Sequence, residues 1–181
     1  MILPIYTYGN GVLRKPTEEI DSSYPAVNEL IANMFDTLTH ADGCGLAAPQ
    51  VGLSIRLFVV DGTLLDKDYP ECKGFKKVFI NPEIVEQSEE TSAYDEGCLS
   101  LPGINERVVR PRTITIRYLD ENFEAHEEEY SDFAARIILH EYDHLEGHVF
   151  TDRISMIRKQ LVNNKLRKIQ DKKVSCRYKI K

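Results

Sequence analysis

The sequence predicts an α+β domain in which β-sheets fold around one central helix. Three observations predict it. Short β-rich runs such as Arg56 to Asp61 and Thr113 to Tyr118 are bounded by turn signals. Two segments, Val27 to Leu38 and Phe133 to Leu145, carry apolar residues at helical period. The second of these contains His140-Glu141-Tyr142-Asp143-His144, which places two imidazoles one turn apart on one helix face. A chain of 181 residues with 42% hydrophobic residues is long enough to bury one core and is most simply one domain.

The elements follow in order. Ile2 to Ile20 is irregular and punctuated by Gly9, Asn10, Gly11 and Pro16, a segment suited to wrapping the domain. Val27, Leu30, Ile31, Met34, Phe35 and Leu38 then form one face of an amphipathic helix, with Pro25 near its start and Ala41-Asp42-Gly43 at its exit. Gly43-Cys44-Gly45-Leu46-Ala47-Ala48-Pro49-Gln50-Val51-Gly52 is dense in small residues, which let a backbone pass close to a ligand or another segment. Arg56 to Asp61 and Lys77 to Asn81 read as short buried strands stopped at Asp61-Gly62 and Asn81-Pro82. Between them, Thr63 to Lys76 reads as an exposed excursion holding Cys72. Ile84 to Thr91 reads as a further strand, followed by Glu96-Gly97-Cys98-Leu99-Ser100-Leu101-Pro102-Gly103. Thr113, Thr115 and Arg117 alternate with Ile114, Ile116 and Tyr118, and Asp120-Glu121-Asn122 turns this half-buried strand into Phe123 to Tyr130.

That hairpin delivers the chain to the central helix, which Ser131 or Asp132 can cap and Gly147 can stop. At about 100° per residue, Phe133, Ile137, His140 and His144 share a stripe, with Glu141 at its edge and Tyr142 pointing away. Two inward imidazoles with a carboxylate beside the first make a divalent metal site with a base. A hydrolytic metal needs three protein ligands and an open position. His148 is near, but Gly147 breaks the helix before it. The extended metalloprotease pattern fails at Phe150, where its last His belongs. A distant Glu is another option, and Cys98, in a Gly-flanked turn, is the strongest. A zinc metallopeptidase therefore stands as the alternative reading. A closed structural site would need a fourth ligand, and none is obvious.

Composition excludes several classes. No apolar run is long enough to span a membrane and no basic-then-apolar start resembles an export signal, so a cytoplasmic protein with Cys44, Cys72, Cys98 and Cys176 reduced is expected. From Arg153 onward eleven Lys or Arg face Asp171 alone, a net of +10, leaving −16 on the remainder of a chain of formal charge −6. The acidic body argues against a general or specific DNA binder. In the basic end, Ile154, Ile157, Leu161, Val162, Leu166 and Ile169 keep near-helical spacing.

Three separated blocks, Gly43 to Gln50, Glu96-Gly97-Cys98-Leu99-Ser100 and His140-Glu141-Tyr142-Asp143-His144, resemble in kind and order the three signature motifs of the peptide deformylases. The resemblance extends loosely from Ile2 to about Ile154 and implies a catalytic domain over residues 1–152, with 153–181 as its basic C-terminal helix or tail. It implies an enzyme that removes the formyl group from the N-terminal formylmethionine of nascent proteins. It implies Cys98, His140 and His144 as ligands of Fe2+, with Zn2+, Ni2+ or Co2+ as substitutes. By the same resemblance Glu141 is the base, and the Gln50 amide and Leu99 N–H stabilise the developing oxyanion. Gly43, Cys44, Leu46 and Ile137 are candidates for the methionine pocket, with Gly45 and Gly97 giving the peptide backbone room. A substrate emerging from the ribosome suggests that the basic C-terminal helix contacts ribosomal RNA. Two residues depart from the family pattern: Leu139 replaces a common Gln, and Cys44 a branched aliphatic residue.

Overall fold

The computed structural model describes residues 1–181. Its α+β architecture centres on a five-stranded antiparallel sheet in the order β1-β2-β3-β6-β7, formed by β1 (Gly45–Ala47), β2 (Leu57–Asp61), β3 (Lys76–Gln87), β6 (Thr113–Leu119) and β7 (Ala125–Ser131). A separate hairpin pairs β4 (Thr91–Cys98) with β5 (Leu101–Pro111). The helices are α1 (Val27–Ala41), α2 (Asp132–Leu145) and α3 (Met156–Gln170).

Strand alternation divides the core into two layers. Phe58, Val60, Phe79 and Ile116 pack with Ala134, Ile137, Ile138 and Leu145 of α2. Leu57, Val59, Val78 and Ile80 pack with Ile31, Met34 and Leu38 of α1. The two-residue period of each strand thus sends neighbours to opposite helices, as a doubly covered sheet requires. A third cluster joins Leu101, Ile104 and Val108 of β5 to Val149, Phe150 and to Val162, Leu166 and Ile169 of α3. The helix α2 lies between the large sheet and the hairpin.

Several sequence expectations change. Lys77 to Asn81 and Ile84 to Thr91 are not two strands: β3 runs through Asn81-Pro82, and the pairing shifts register between Ile80 and Glu83 to absorb the proline. Asn81 adopts φ 48°, and its side chain exchanges hydrogen bonds with the backbone of Ile20. The Thr63 to Lys76 excursion is only partly exposed, since Cys72 and Phe75 enter the main core. The hairpin β4–β5 is absent from the sequence reading because its inward positions include Glu96, Glu106 and Arg110, which break the apolar alternation. At α2, Ser131 occupies the N-cap without a side-chain bond, and the Glu71 carboxylate instead accepts from the Phe133 N–H at 2.8 Å.

The end of the chain is no loose tail. After α3, residues 174–181 alternate between half-buried Val174, Cys176, Tyr178 and Ile180 and exposed Ser175, Arg177, Lys179 and Lys181. Ile180 pairs in parallel with Ile5, with Ile5 N–H donating to Lys179 O at 2.9 Å and Lys181 N–H to Ile5 O at 2.8 Å. This alternation is a legible strand signal that the helical reading of the tail passed over.

Across β3, β6 and β7 one polar network crosses the sheet. Lys77 donates to Glu128 at 2.7 Å and Tyr118 donates to the same carboxylate at 2.8 Å, with Tyr130 a third donor. Burial pushes the Glu128 carboxyl up, but bonds from Lys77, Tyr130 and Tyr118 outweigh it and bring it down to about 2. Its contribution to stability is therefore present above the unfolded value near 4.5 and is lost as pH falls towards 2. Urea unfolding should find Glu128→Gln less stable than the wild type by about 1 kcal/mol at pH 7. That gap should close as the pH is lowered from 5 to about 2.

Candidate metal centre

The turn between β4 and β5 and the inward face of α2 meet at one point. There the donor atoms of Cys98, His140 and His144 all lie within 4.8 Å of one another. Cys98 Sγ stands 3.3 Å from His144 Nε2, and the two imidazole rings are 5.3 Å apart at 78°. The i, i+4 spacing of a regular helix places both rings on one side; the hairpin turn brings the sulfur. His148, which the sequence left in contention, points to solvent beside Asp152 and is not in this group.

The hairpin is held to the helix by a buried ionic cluster. Glu96 Oε2 accepts from His140 Nδ1 at 2.8 Å, which leaves Nε2 free to coordinate. Glu96 Oε1 accepts from Arg110 Nε at 2.6 Å and from Arg136 at 2.8 Å. Arg110 also donates to Asp143 at 2.7 Å, and Arg153 donates to the same carboxylate at 2.6 Å. Burial opposes ionisation of Glu96, yet hydrogen bonds from His140 and Arg110 hold its carboxyl well below the usual range. In the sequence Glu96 and Asp143 stand inside motifs with no role of their own and Arg153 only as the start of the basic end, while nothing there singles out Arg110. Arg136, four residues before His140 on the buried stripe, was a signal: a guanidinium facing a core needs a carboxylate there.

Glu141 is buried, and its Oε2 has no hydrogen-bond partner. Burial pushes its carboxyl up to about 7, against the lowering pull of His140 and His144. It lies flat against β1: a Cβ at Gly45 would fall 2.7 Å from Glu141 Cδ. Gly45 is therefore occupied by the carboxylate and leaves no added room for a ligand backbone. At Gly97 the corresponding space is filled by the Asn105 side chain, whose Oδ1 would lie 2.6 Å from a Cβ.

Gln50 follows the short turn after β1. Its Oε1 accepts from Ala47 N–H at 2.8 Å, which aims the Nε2 group at Ser100 Oγ, 3.2 Å away, and at Cys98 Sγ, 3.5 Å away. The Leu99 N–H takes no backbone partner, while the Leu99 carbonyl accepts from Tyr178 Oη at 2.8 Å. Gly43, Cys44, Gly45, Gly97 and Ile137 all line one cleft with Glu141. Leu46 does not: it is fully buried among the residues under α1, because β1 alternation turns it to the opposite face of the sheet. The cleft has a volume of about 700 Å³, and residues Val174–Tyr178 form part of its lining.

The donor set fits a divalent ion. One sulfur and two imidazole nitrogens converge, a second carboxylate fixes one imidazole, and an unpartnered buried carboxylate oxygen stands beside them. Although burial raises a thiol, the His144 and His140 rings bring the Cys98 thiol down to about 5, so the sulfur is disposed to bind as thiolate. By contrast the partly buried Cys44 thiol, which lines the cleft near Glu141, is pushed up to about 12 by desolvation and stays a neutral, weakly polar group.

Comparison with known proteins agrees with this geometry. Residues 2–160 match the family model described as polypeptide deformylase. The peptide deformylase of Christiangramia forsetii is 48% identical over 188 residues, covering 100% of this chain and 96% of its own. Among solved structures, the peptide deformylase of Plasmodium falciparum is 36% identical with a TM-score of 0.83, covering 93% of this chain and 95% of its own. That of Thermotoga maritima is 39% identical with a TM-score of 0.78, covering 86% of this chain and 99% of its own. With a family model over most of its length, a relative at 48% identity end to end, and the three motifs assembled in one cleft, the chain belongs to the polypeptide deformylase family.

Proposed function

We propose the following division of labour for the deformylase reaction, the hydrolysis of the formyl amide on an N-terminal formylmethionine. Cys98, His140 and His144 hold one divalent ion, and Glu96 keeps His140 oriented. An ion held there supplies Lewis acidity to a water molecule and to the formyl oxygen. Glu141 takes the proton from the attacking water and delivers it to the departing amine, its buried oxygen being free of any other hydrogen-bond partner. The Gln50 amide and the Leu99 N–H donate to the oxygen that gains charge, a donor of this kind being worth about 3 kcal/mol. The observation that carries this reading is the 3.3 Å approach of Cys98 Sγ to His144 Nε2 beside a buried, unpartnered Glu141 oxygen.

Methionine selection falls to the cleft around Gly43, Cys44 and Ile137. The metallopeptidase alternative loses its nearest third ligand, since His148 is turned to solvent. We favour Fe2+ as the cellular metal, with Zn2+, Ni2+ or Co2+ able to replace it, because a mixed thiolate and imidazole set accepts all four. A cytoplasmic location fits the four free cysteines, and no helix is long and apolar enough to cross a membrane. A ribosome contact through α3 is supported by its exposed Lys165, Arg167 and Lys168 opposite the buried Val162, Leu166 and Ile169.

Three measurements test these roles. Glu141→Ala should retain metal while formate release from formyl-Met-Ala-Ser falls about a thousand-fold; near wild-type turnover would end the assignment of the base. Metal analysis of anaerobically purified protein should find about one Fe2+ per wild-type chain, none in Cys98→Ala and an undiminished content in His148→Ala. Reversing the charge of Lys165, Arg167 and Lys168 to Glu should abolish co-sedimentation with ribosomes at low salt, and indifference to the change would remove the contact.

A further inference from the structure

The last residues of the chain return to the cleft. Residues 174–178 follow α3, lie beyond the family match at residue 160, and line the cleft that holds Glu141 and Gln50, with burial that alternates along them up to a bend at Arg177 and Tyr178. Three anchors fix their course. Tyr178 Oη donates to Leu99 O at 2.8 Å, on the turn that carries Cys98. Arg177 donates to Ala41 O at 3.0 Å and pairs with Asp42 at 2.7 Å, at the exit of α1 just before Gly43. Beyond them, residues 179–181 are paired with the N-terminal segment at Ile5 and Thr7. The segment is therefore a strap fastened to both sides of the cleft and closed at its far end.

Between these anchors the backbone is unpaired within the chain. No N–H or carbonyl of residues 174–178 takes a backbone partner, and the only bond to a carbonyl there comes from Cys176 Sγ to Tyr178 O at 3.3 Å. Free backbone N–H and carbonyl groups on the wall of a cleft can pair with an extended chain, whose own N–H and carbonyl groups lose water on entering and need replacements. The substrate is such a chain. A cleft of about 700 Å³ has room for more than one residue of it.

We propose that residues 174–178 form a wall of the substrate cleft whose free backbone groups bind the peptide backbone following the formylmethionine. Tyr178 is a positioning residue: it ties this wall to the Leu99 turn, so that peptide seated on the strap is held in register with the Leu99 N–H. The inference rests on the deformylase reading of the cleft and adds to it the part of the site that engages the residues after the first.

The test uses the full-length, metal-loaded protein and two substrates, formyl-Met-Ala-Ser and formyl-methionine amide, the second having no residue to reach the strap. Arg177→Ala and Tyr178→Phe each release one anchor. Each should lower the ratio of kcat/KM for the tripeptide over the amide about five-fold, through KM for the tripeptide. A residue that merely stabilised the fold would move both substrates together. Independently, alkylation of Cys176 by iodoacetamide, followed by mass mapping, should be slowed by the product Met-Ala-Ser and left unaltered by methionine amide. An unchanged substrate ratio in both variants, or Cys176 alkylation indifferent to Met-Ala-Ser, overturns the proposal. Were the wild type to release formate from neither substrate, the reaction would be wrong, and the protection of Cys176 would still decide the wall.

Discussion

The Glu96 carboxylate is the joint on which the metal centre depends. It accepts from His140 on α2, from Arg136 one turn earlier on the same helix, and from Arg110 on β5, while sitting two residues before Cys98 on β4. Through it the hairpin and the helix become one rigid unit, and the sulfur is carried to the imidazoles. Ions taken out of water are costly, and such a cluster is tolerated only when every charge is matched and hydrogen-bonded. Asp143, on the far side of Arg110, adds a second carboxylate to the cluster and draws in Arg153 just before α3. Loss of one partner from such a cluster leaves a buried charge uncompensated, at a cost of about 3–5 kcal/mol.

Space is the second constraint. The carboxylate of Glu141 lies where a side chain on β1 would otherwise stand, which only glycine at position 45 permits. The Glu141 carboxylate thereby sits between a regular helix and a sheet strand, both rigid, and its orientation does not rely on a loop. Its unpartnered oxygen and elevated carboxyl are locally unfavourable, and such departures from full hydrogen bonding concentrate where chemistry occurs. The same close approach explains why glycine stands there better than the idea of making room for a substrate does.

The third cluster ties the end of the chain to this arrangement. Phe150 stacks on His140 with ring centroids 5.9 Å apart, and Val162, Leu166 and Ile169 of α3 pack with it against β5. The basic end of the chain is thus part of the body that supports His140 and the hairpin beside it. Met156, Ile157 and Leu161 remain exposed on the other side of α3, so the near-helical apolar spacing read from the sequence describes two faces and only one of them is packed.

Local periodicity made all three helices, the β6–β7 hairpin, and the pairing of His140 with His144 and Glu141 legible from the residues alone, because a helix or a half-buried strand writes its period directly into its apolar positions. The recurrence of three motifs pointed further, to Cys98 and Gln50. What remained hidden had a common cause. The hairpin β4–β5 buries Glu96, Glu106 and Arg110 at positions where its pattern should be apolar, and only their partners on other elements make that burial tolerable. Leu46 was assigned to the cleft because its motif neighbours line it, whereas the pleat of β1 turns it to the other face. The sequence by itself determined that two imidazoles and a carboxylate come together on one helix, since their helical spacing dictates it. Only the tertiary structure decided how Cys98 reaches them, what fills the space at Gly45, and where the final residues lie, because each depends on contacts between segments far apart in the chain.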